Sequence, residues 1–214
     1  MLMLPAKFGA PHPVTMRNPP RTLLSRLLAH MRDFFMKWSP LYLRTRTGYL
    51  ICITRRTEAR IYERMFVEDL FPPAAIRRSS EMKSPVVFDV GACFGFFSLS
   101  VMDYYPDAHI HLFEANPKLI SAIDHHRDIN ACTNWTVNHG AVASTSGEVS
   151  LFLSSSPLAA SLNPQKAAEH KGKGSITVPG IKLDDYVCER SIEHIDIMKL
   201  DVEGCEEQII ASSP

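Results

Sequence analysis

One stretch constrains the fold more than any other: Val86 to Met102, VVFDVGACFGFFSLSVM. Val86, Val87, Phe88 and Val90 make a short apolar run, the pattern of a parallel strand covered on both faces. Asp89 interrupts it, and a carboxylate inside a buried strand requires a partner because an unpaired buried charge costs several kcal/mol. Gly91 and Gly95 follow, where positive φ and a close backbone approach are both permitted. A helix then begins near Phe96. The stretch therefore reads as strand, glycine turn and helix.

The rest of the chain repeats this alternation. Gly48–Thr54 reads as a strand and Glu58–Phe71 as a helix with Thr57 at its N-cap and Pro72-Pro73 as its stop. After a polar linker and the organising strand come a strand over His109–Phe113, a helix opened by Asn116-Pro117, and a strand over Trp135–Val142. Glu148–Leu153 is expected to pair with Ser175–Ile181. Between these two, residues 154–174 read either as a mobile lid or as a disordered insertion. Ile195–Leu200 is a fourth parallel strand, followed by Asp201-Val202-Glu203-Gly204 and a helix over Glu203–Ser212. Alternation of this kind predicts an α/β fold with a doubly wound, mostly parallel sheet, in which ligands bind beyond the carboxyl ends of the strands. Asp89, Glu114 and Asp201 all fall at those ends.

Composition removes several function classes. The chain has 23 basic and 23 acidic residues, so it lacks the basic excess of a nucleic-acid surface. Its five cysteines are scattered with no CxxC pair, which argues against a disulfide framework and a zinc site and favours a reducing, cytoplasmic compartment. No run reaches the ~18 apolar residues of a membrane span. Residues 1–46 differ in character: a proline-rich disordered start, then a basic amphipathic helix over residues 21–38. That helix fits a peripheral membrane contact, an organelle leader, or a helix docked on the following domain at residues 47–214.

The turn after the first Rossmann strand is Asp-x-Gly-x-x-x-Gly. A dinucleotide fingerprint needs glycine where Cys93 stands, and an acid beside the loop would repel a pyrophosphate while suiting an ammonium. Glu114 stands where an acid commonly takes a ribose diol. A ligand with an amino acid at one end and a ribose at the other is S-adenosylmethionine. Alternatively, Asp89 is a salt-bridged or capping acid and Glu114 a surface acid.

In VVFDVGACFGFFSL, HLFEANP, AVASTSGEVSLFL, IKLDDY and IDIMKLDVEG, taken in that order, the chain resembles the FkbM family of S-adenosylmethionine-dependent methyltransferases. The resemblance covers residues 48–212 and implies a class I methyltransferase fold, Rossmann-like, with O-methylation of a hydroxyl on a small molecule or sugar. Asp89, Gly91 and Gly95 match the family's cofactor loop, Glu114 its ribose acid, and Asp201 to Gly204 its signature after the fourth strand. Ala92 and Cys93 in the turn and Asn116 after Glu114 complete the candidate cofactor set. Cys93 replaces a frequent Asn, and is either a reactive thiol at a helix start or inert packing. The family fold continues with further strands, so a C-terminal truncation is expected, with the fourth strand left as a sheet edge.

For catalysis, Asp201 and Glu203 are two apart at a strand end and can face one side, and Lys199 shares their parity. Asp201 is expected beside the methionine end or the acceptor. Glu203 is either the proton acceptor or a helix N-terminal acid. His139 is a possible adenine-side contact or a surface histidine, and Asp184-Asp185 reads as a helix cap. No metal site is expected. Two other functions fit the chain: a catalytically inactive methyltransferase-like interaction protein, and an NAD(P)-dependent oxidoreductase.

Overall fold

The computed structural model describes residues 39–68, 70–71 and 82–213. The expected disordered start, the expected basic helix over 21–38, the expected Pro72-Pro73 stop and most of the linker before Val86 lie outside them.

The chain enters through a hairpin of β1 (Leu41–Arg44) and β2 (Leu50–Ile53). β2 is the expected strand; its partner β1 falls in the segment assigned to the N-terminal appendage. The hairpin is clasped from two sides. Asp103 accepts hydrogen bonds from the hydroxyls of Thr45 and Thr47 and the backbone N–H groups of Arg46 and Thr47. Cys52 donates its N–H to Nε2 of His126, and Leu50 exchanges hydrogen bonds in both directions with the Asn130 amide. Apart from its pairing with β1, β2 is thus held by side chains of a helix.

α1 (Arg56–Tyr62) follows and runs without a break into a π-helical turn at Glu63–Val67. Its N-cap is Arg55 rather than Thr57, because Glu58 folds back to accept the N–H groups of Thr54 and Arg55.

Four strands form the central sheet: β3 (Val86–Val90), β4 (His109–Glu114), β5 (Trp135–His139) and, later in the chain, β9 (Ile197–Leu200). Their order is β5-β4-β3-β9 and every pairing is parallel. α2 (Phe96–Met102) follows β3 and α3 (Pro117–Ile129) follows β4. Side-chain parity along β3 divides the core. Val87 packs with Ile110, Leu112, Trp135 and the α2 and α3 residues Leu99 and Ile123, together with Ile51 and Ile53 of the hairpin. Phe88 and Val90 point the other way, onto Leu183, Tyr186 and Ile209 of α5 (Leu183–Glu189) and α6 (Glu206–Ala211). Helices on both faces of a parallel sheet make the doubly wound α/β fold that the alternation predicts. Phe88 is wholly buried against Phe113 and Tyr186, and truncating such a side chain costs about 3–5 kcal/mol.

Trp135–Val142 is not one strand. At Gly140 the chain leaves the central sheet, and Ala141–Val142 (β6) joins a second sheet with β8 (Ser175–Ile181) and β7 (Gly147–Phe152) in the order β6-β8-β7. A Cβ on residue 140 would lie 2.8 Å from the carbonyl oxygen of Pro179, so the crossing point has no room for a side chain. β7 and β8 pair as expected, and their pairing is antiparallel. Residues 154–174 are ordered: a 3-10 turn at Pro157–Ala159, a bridge from Ser161 to Phe152, and α4 (Pro164–Glu169) capped by the Asn163 side chain.

Among the described residues β9 is an edge, paired only with β3. No described helix is long and apolar enough to cross a membrane.

Candidate functional site

A cavity of about 390 Å³ opens beyond the carboxyl ends of β3, β4 and β9, a size suited to a small organic ligand. The glycine turn forms one side. Gly91 and Ala92 both donate their N–H to the carbonyl of Phe113, which bends the chain sharply out of β3. Gly91 has φ +74°, and a Cβ there would meet the Asp201 carbonyl oxygen at 2.0 Å, so this position admits only glycine. Gly95, at φ +75°, is the N-cap of α2. Between them Cys93 holds φ +56°, a conformation costly for most side chains and easiest for Asn. Gly91, Ala92 and Cys93 line the cavity.

Asp89 does not line it. The carboxylate is 0% exposed and sits directly across from Lys199 in the β3–β9 register. Lys199 Nζ donates to Asp89 Oδ1 at 3.2 Å, to the carbonyl of Gly91 at 2.6 Å and to that of Val90 at 3.3 Å, while Ser98 Oγ donates to Oδ2 at 2.8 Å. The ammonium beside Asp89 is therefore the chain's own. The salt-bridged alternative describes Asp89, and its carboxylate is not placed to receive a cofactor ammonium. What it fixes is Lys199, which reaches the cavity and ties down the carbonyls of the glycine turn.

Glu114 closes the second side. It lines the cavity at the end of β4, and its two oxygens accept the N–H groups of Cys93 at 2.8 Å and Asn116 at 2.7 Å. Burial raises its carboxyl to about 7 despite those hydrogen bonds. Glu114 is thus no surface acid. It links the glycine turn to the start of α3 and retains lone pairs for a ligand. Asn116 is not in the cavity: its side chain caps α3 through the N–H of Lys118 and donates to the carbonyl of Pro157 at 3.0 Å. Its place in the candidate cofactor set becomes a supporting one. Cys93 is pushed well above the ordinary thiol range, first by burial and then by the Glu114 charge, so at neutral pH it is a thiol and not a reactive thiolate.

The third side is the loop after β9. Asp201 and Glu203 both line the cavity. The helix does not start at Glu203; α6 begins at Glu206, whose carboxylate accepts the N–H groups of Val202 and Gly204 at 3.0 and 2.9 Å. Burial tends to raise the Glu206 carboxyl, but those backbone donors outweigh it and leave it below its ordinary value. Held in this way, Glu203 takes φ +57° outside the helix, so it is not the helix N-terminal acid. Its own carboxyl is raised, first by burial and next by the charge of Asp201.

Residues 154–174 supply the cover. Pro157, Leu158, Ala160, Ser161 and Leu162 line the cavity. The strap is fastened at one end by the Asn116–Pro157 hydrogen bond and at the other by Ser161 Oγ, which donates to the Glu203 carbonyl at 2.8 Å. Lys199, Ser98 and Ser161 hold the walls of the cavity in place through hydrogen bonds that the sequence reading did not foresee. A lone lysine in an apolar strand was the available signal for the first. His139 is exposed and off the cavity, and Asp184 and Asp185 lie in the first turn of α5. Among the described residues no cluster of three His, Cys, Asp or Glu side chains could hold a metal ion.

Comparison with known proteins adds independent weight. No curated protein matches the chain. Among solved structures, the precorrin-6y C5,15-methyltransferase of Geobacter metallireducens GS-15 aligns at 15% identity with a TM-score of 0.28, over 46% of this chain and 43% of that one. The chain thus spans less than half the length of that structure. The family model for the methyltransferase FkbM domain matches residues 89–213, which run from the buried acid of β3 through Glu114 and the strap to the end of α6. With more than half of its residues matched, and with the glycine turn, Glu114 and the Asp201–Gly204 loop converging on one cavity, the chain belongs to the FkbM methyltransferase domain family.

Proposed function

We propose that this domain transfers a methyl group from S-adenosylmethionine to a hydroxyl oxygen of a small-molecule or sugar acceptor. The observation that carries the reading is the charge at the strand ends of the cavity: Glu114, Asp201 and Glu203 stand there, the ammonium of Lys199 is committed to Asp89 and to backbone carbonyls, and the other lining cation, Arg64, comes from the Glu63–Val67 turn and not from a strand end. Such a lining favours a cationic ligand and opposes a pyrophosphate, so it supports a sulfonium cofactor over a nicotinamide dinucleotide.

Residues fit the cofactor part by part. Glu114 can accept a ribose diol through the lone pairs that Cys93 and Asn116 leave free. Gly91 permits close approach at the methionine end, where Asp201 supplies the acid that Asp89 does not. The bound cofactor supplies an activated methyl carbon, whose bond to sulfur breaks as the bond to oxygen forms, with the electron pair left on sulfur. The chain has to align that carbon with the acceptor oxygen and keep water out, tasks assigned to the glycine turn and the strap. Glu203 receives the hydroxyl proton; its raised carboxyl makes it a stronger base than an exposed glutamate.

Titration calorimetry of the full chain with S-adenosylhomocysteine tests the cofactor assignment. Saturable heat is expected, and its absence would favour a non-catalytic interaction protein. Glu203→Gln is expected to lower turnover about 10²–10⁴-fold with cofactor affinity retained; unchanged turnover removes Glu203 from the reaction.

A further inference from the structure

One side of the cavity comes from residues that precede the family-model match. Ile61, Arg64, Met65, Leu70 and Phe71 line it, whereas the family match begins at residue 89. Ile61, Arg64 and Met65 stand at helical spacings of three and four on one face. The π turn at Glu63–Val67 contains Arg64 and Met65, and π turns recur where a helix is shaped around a site. The face is anchored to the domain: Met65 is buried in the main core, and the Phe71 ring meets Phe97 of α2 edge-on at a centroid distance of 5.0 Å.

The chemistry of this face is uneven. Four of the five side chains are apolar, and the fifth is a guanidinium that is exposed and has no ion pair or hydrogen bond among the described residues. Lys199, the other cation of the lining, is held by Asp89 and two carbonyls. The acids stand at the strand ends, where the proposed cofactor lies. A sugar placed against the Ile61–Phe71 face would leave most of its hydroxyls without partners. An apolar body with one anionic substituent would match both the Ile, Met, Leu and Phe surface and the exposed guanidinium.

We propose that Ile61–Phe71 is the acceptor-recognition wall and that the acceptor is a small hydroxylated acid with an apolar body, its anionic group received by Arg64. The proposal rests on the methyl-transfer reading for the acceptor's role, but the wall itself can be tested without turnover. With the full chain saturated in S-adenosylhomocysteine, three probes are titrated by calorimetry: 3-(4-hydroxyphenyl)propanoate, the neutral 4-ethylphenol, and methyl β-glucoside. The acid is expected to bind at least fivefold more tightly than the phenol, and the glucoside to give no saturable heat. Arg64→Gln should reduce the acid to the level of the phenol, and Arg64→Lys should keep part of the preference, with S-adenosylhomocysteine affinity unchanged in both. Equal binding of acid and phenol, tightest binding of the glucoside, no binding of any probe, or an Arg64→Gln variant that keeps the preference would each overturn the proposal. So would a loss of S-adenosylhomocysteine affinity in Arg64→Gln, which would assign the guanidinium to the cofactor. If S-adenosylhomocysteine itself gives no heat, the same titrations on the unloaded chain still read the wall, so failure of the cofactor assignment and failure of the acceptor class are distinguishable.

Discussion

Replacing Lys199 with Met removes the only cation paired with Asp89 among the described residues. The carboxylate keeps Ser98 alone, in a site with 0% exposure, and the carbonyls of Val90 and Gly91 lose a shared donor. Breaking a buried ion pair by deleting one partner costs about 3–5 kcal/mol, so Lys199→Met should lose about 4 kcal/mol. With a urea dependence of about 2 kcal/mol per molar, the unfolding midpoint followed by far-ultraviolet circular dichroism falls by about 2 M. Asp89→Asn retains the Ser98 hydrogen bond but leaves the ammonium facing an amide, and should lose about 3 kcal/mol. In the double variant neither charge is stranded, so the combined loss should undershoot the sum by about 2–3 kcal/mol. Losses that add to within about 0.5 kcal/mol would refute the coupling and with it the account of how the glycine turn is held.

Gly91→Ala forces a Cβ onto the Asp201 carbonyl at a left-handed φ; a stability loss of at least about 2 kcal/mol and disappearance of S-adenosylhomocysteine binding are expected in calorimetry. In its proposed ribose role Glu114 accepts a diol best when ionised, so S-adenosylhomocysteine affinity should rise about tenfold per pH unit up to about 7 and level above it, and Glu114→Gln should flatten the profile. Stability has two opposed slopes. Glu114, at about 7 in the folded chain against 4.5 ordinarily, makes stability fall as pH rises from 4.5 to 7. His126, lowered by burial to about 4 from 6.5, makes stability fall as pH drops from 6.5 to 4. Urea midpoints should therefore change little from these two groups between pH 4.5 and 6.5, and His126→Gln should reveal the descending Glu114 slope. Ser161→Ala cuts the strap from the Glu203 carbonyl and should accelerate proteolytic cleavage within residues 154–174, at a global stability cost of about 1 kcal/mol.

Much of this fold was legible because the signals are local. Val86–Val90 and His109–Glu114 read as strands from their apolar runs, and the acids that end them marked the carboxyl edge of the sheet. Asp89 announced that it needed a partner. The partner, 110 residues away, was not legible, because only the β3–β9 register places Lys199 opposite. Parity along a single strand associated Lys199 with Asp201 instead. Trp135–Val142 looked continuous because no proline or turn cluster interrupts it; that the chain changes sheets at Gly140, where the Pro179 carbonyl leaves no room for a side chain, is set by tertiary neighbours. The helix at the end was read from Glu203 because Glu203 and Glu206 are equivalent by sequence, and only the fold shows that Glu206 holds the loop while Glu203 is turned out of it. Residues 154–174 were recognisable as an unusual loop. Hydrogen bonds that fasten them reach the Asn116 side chain and the Glu203 carbonyl, distant groups that composition does not record.

The spacing of Asp89 and Lys199 also has a consequence in time. A ribosome adding about 5–20 residues per second needs roughly 5–20 s to pass from one to the other. During that interval β3 and β4 can meet, but a carboxylate destined for a dry interior has no counter-ion, so the nascent sheet is penalised for closing over it. Completion of the glycine turn is thus deferred until β9 has emerged. A stalled or shortened nascent chain that lacks residue 199 would present an open, hydrated β3, the form that chaperones and proteases recognise.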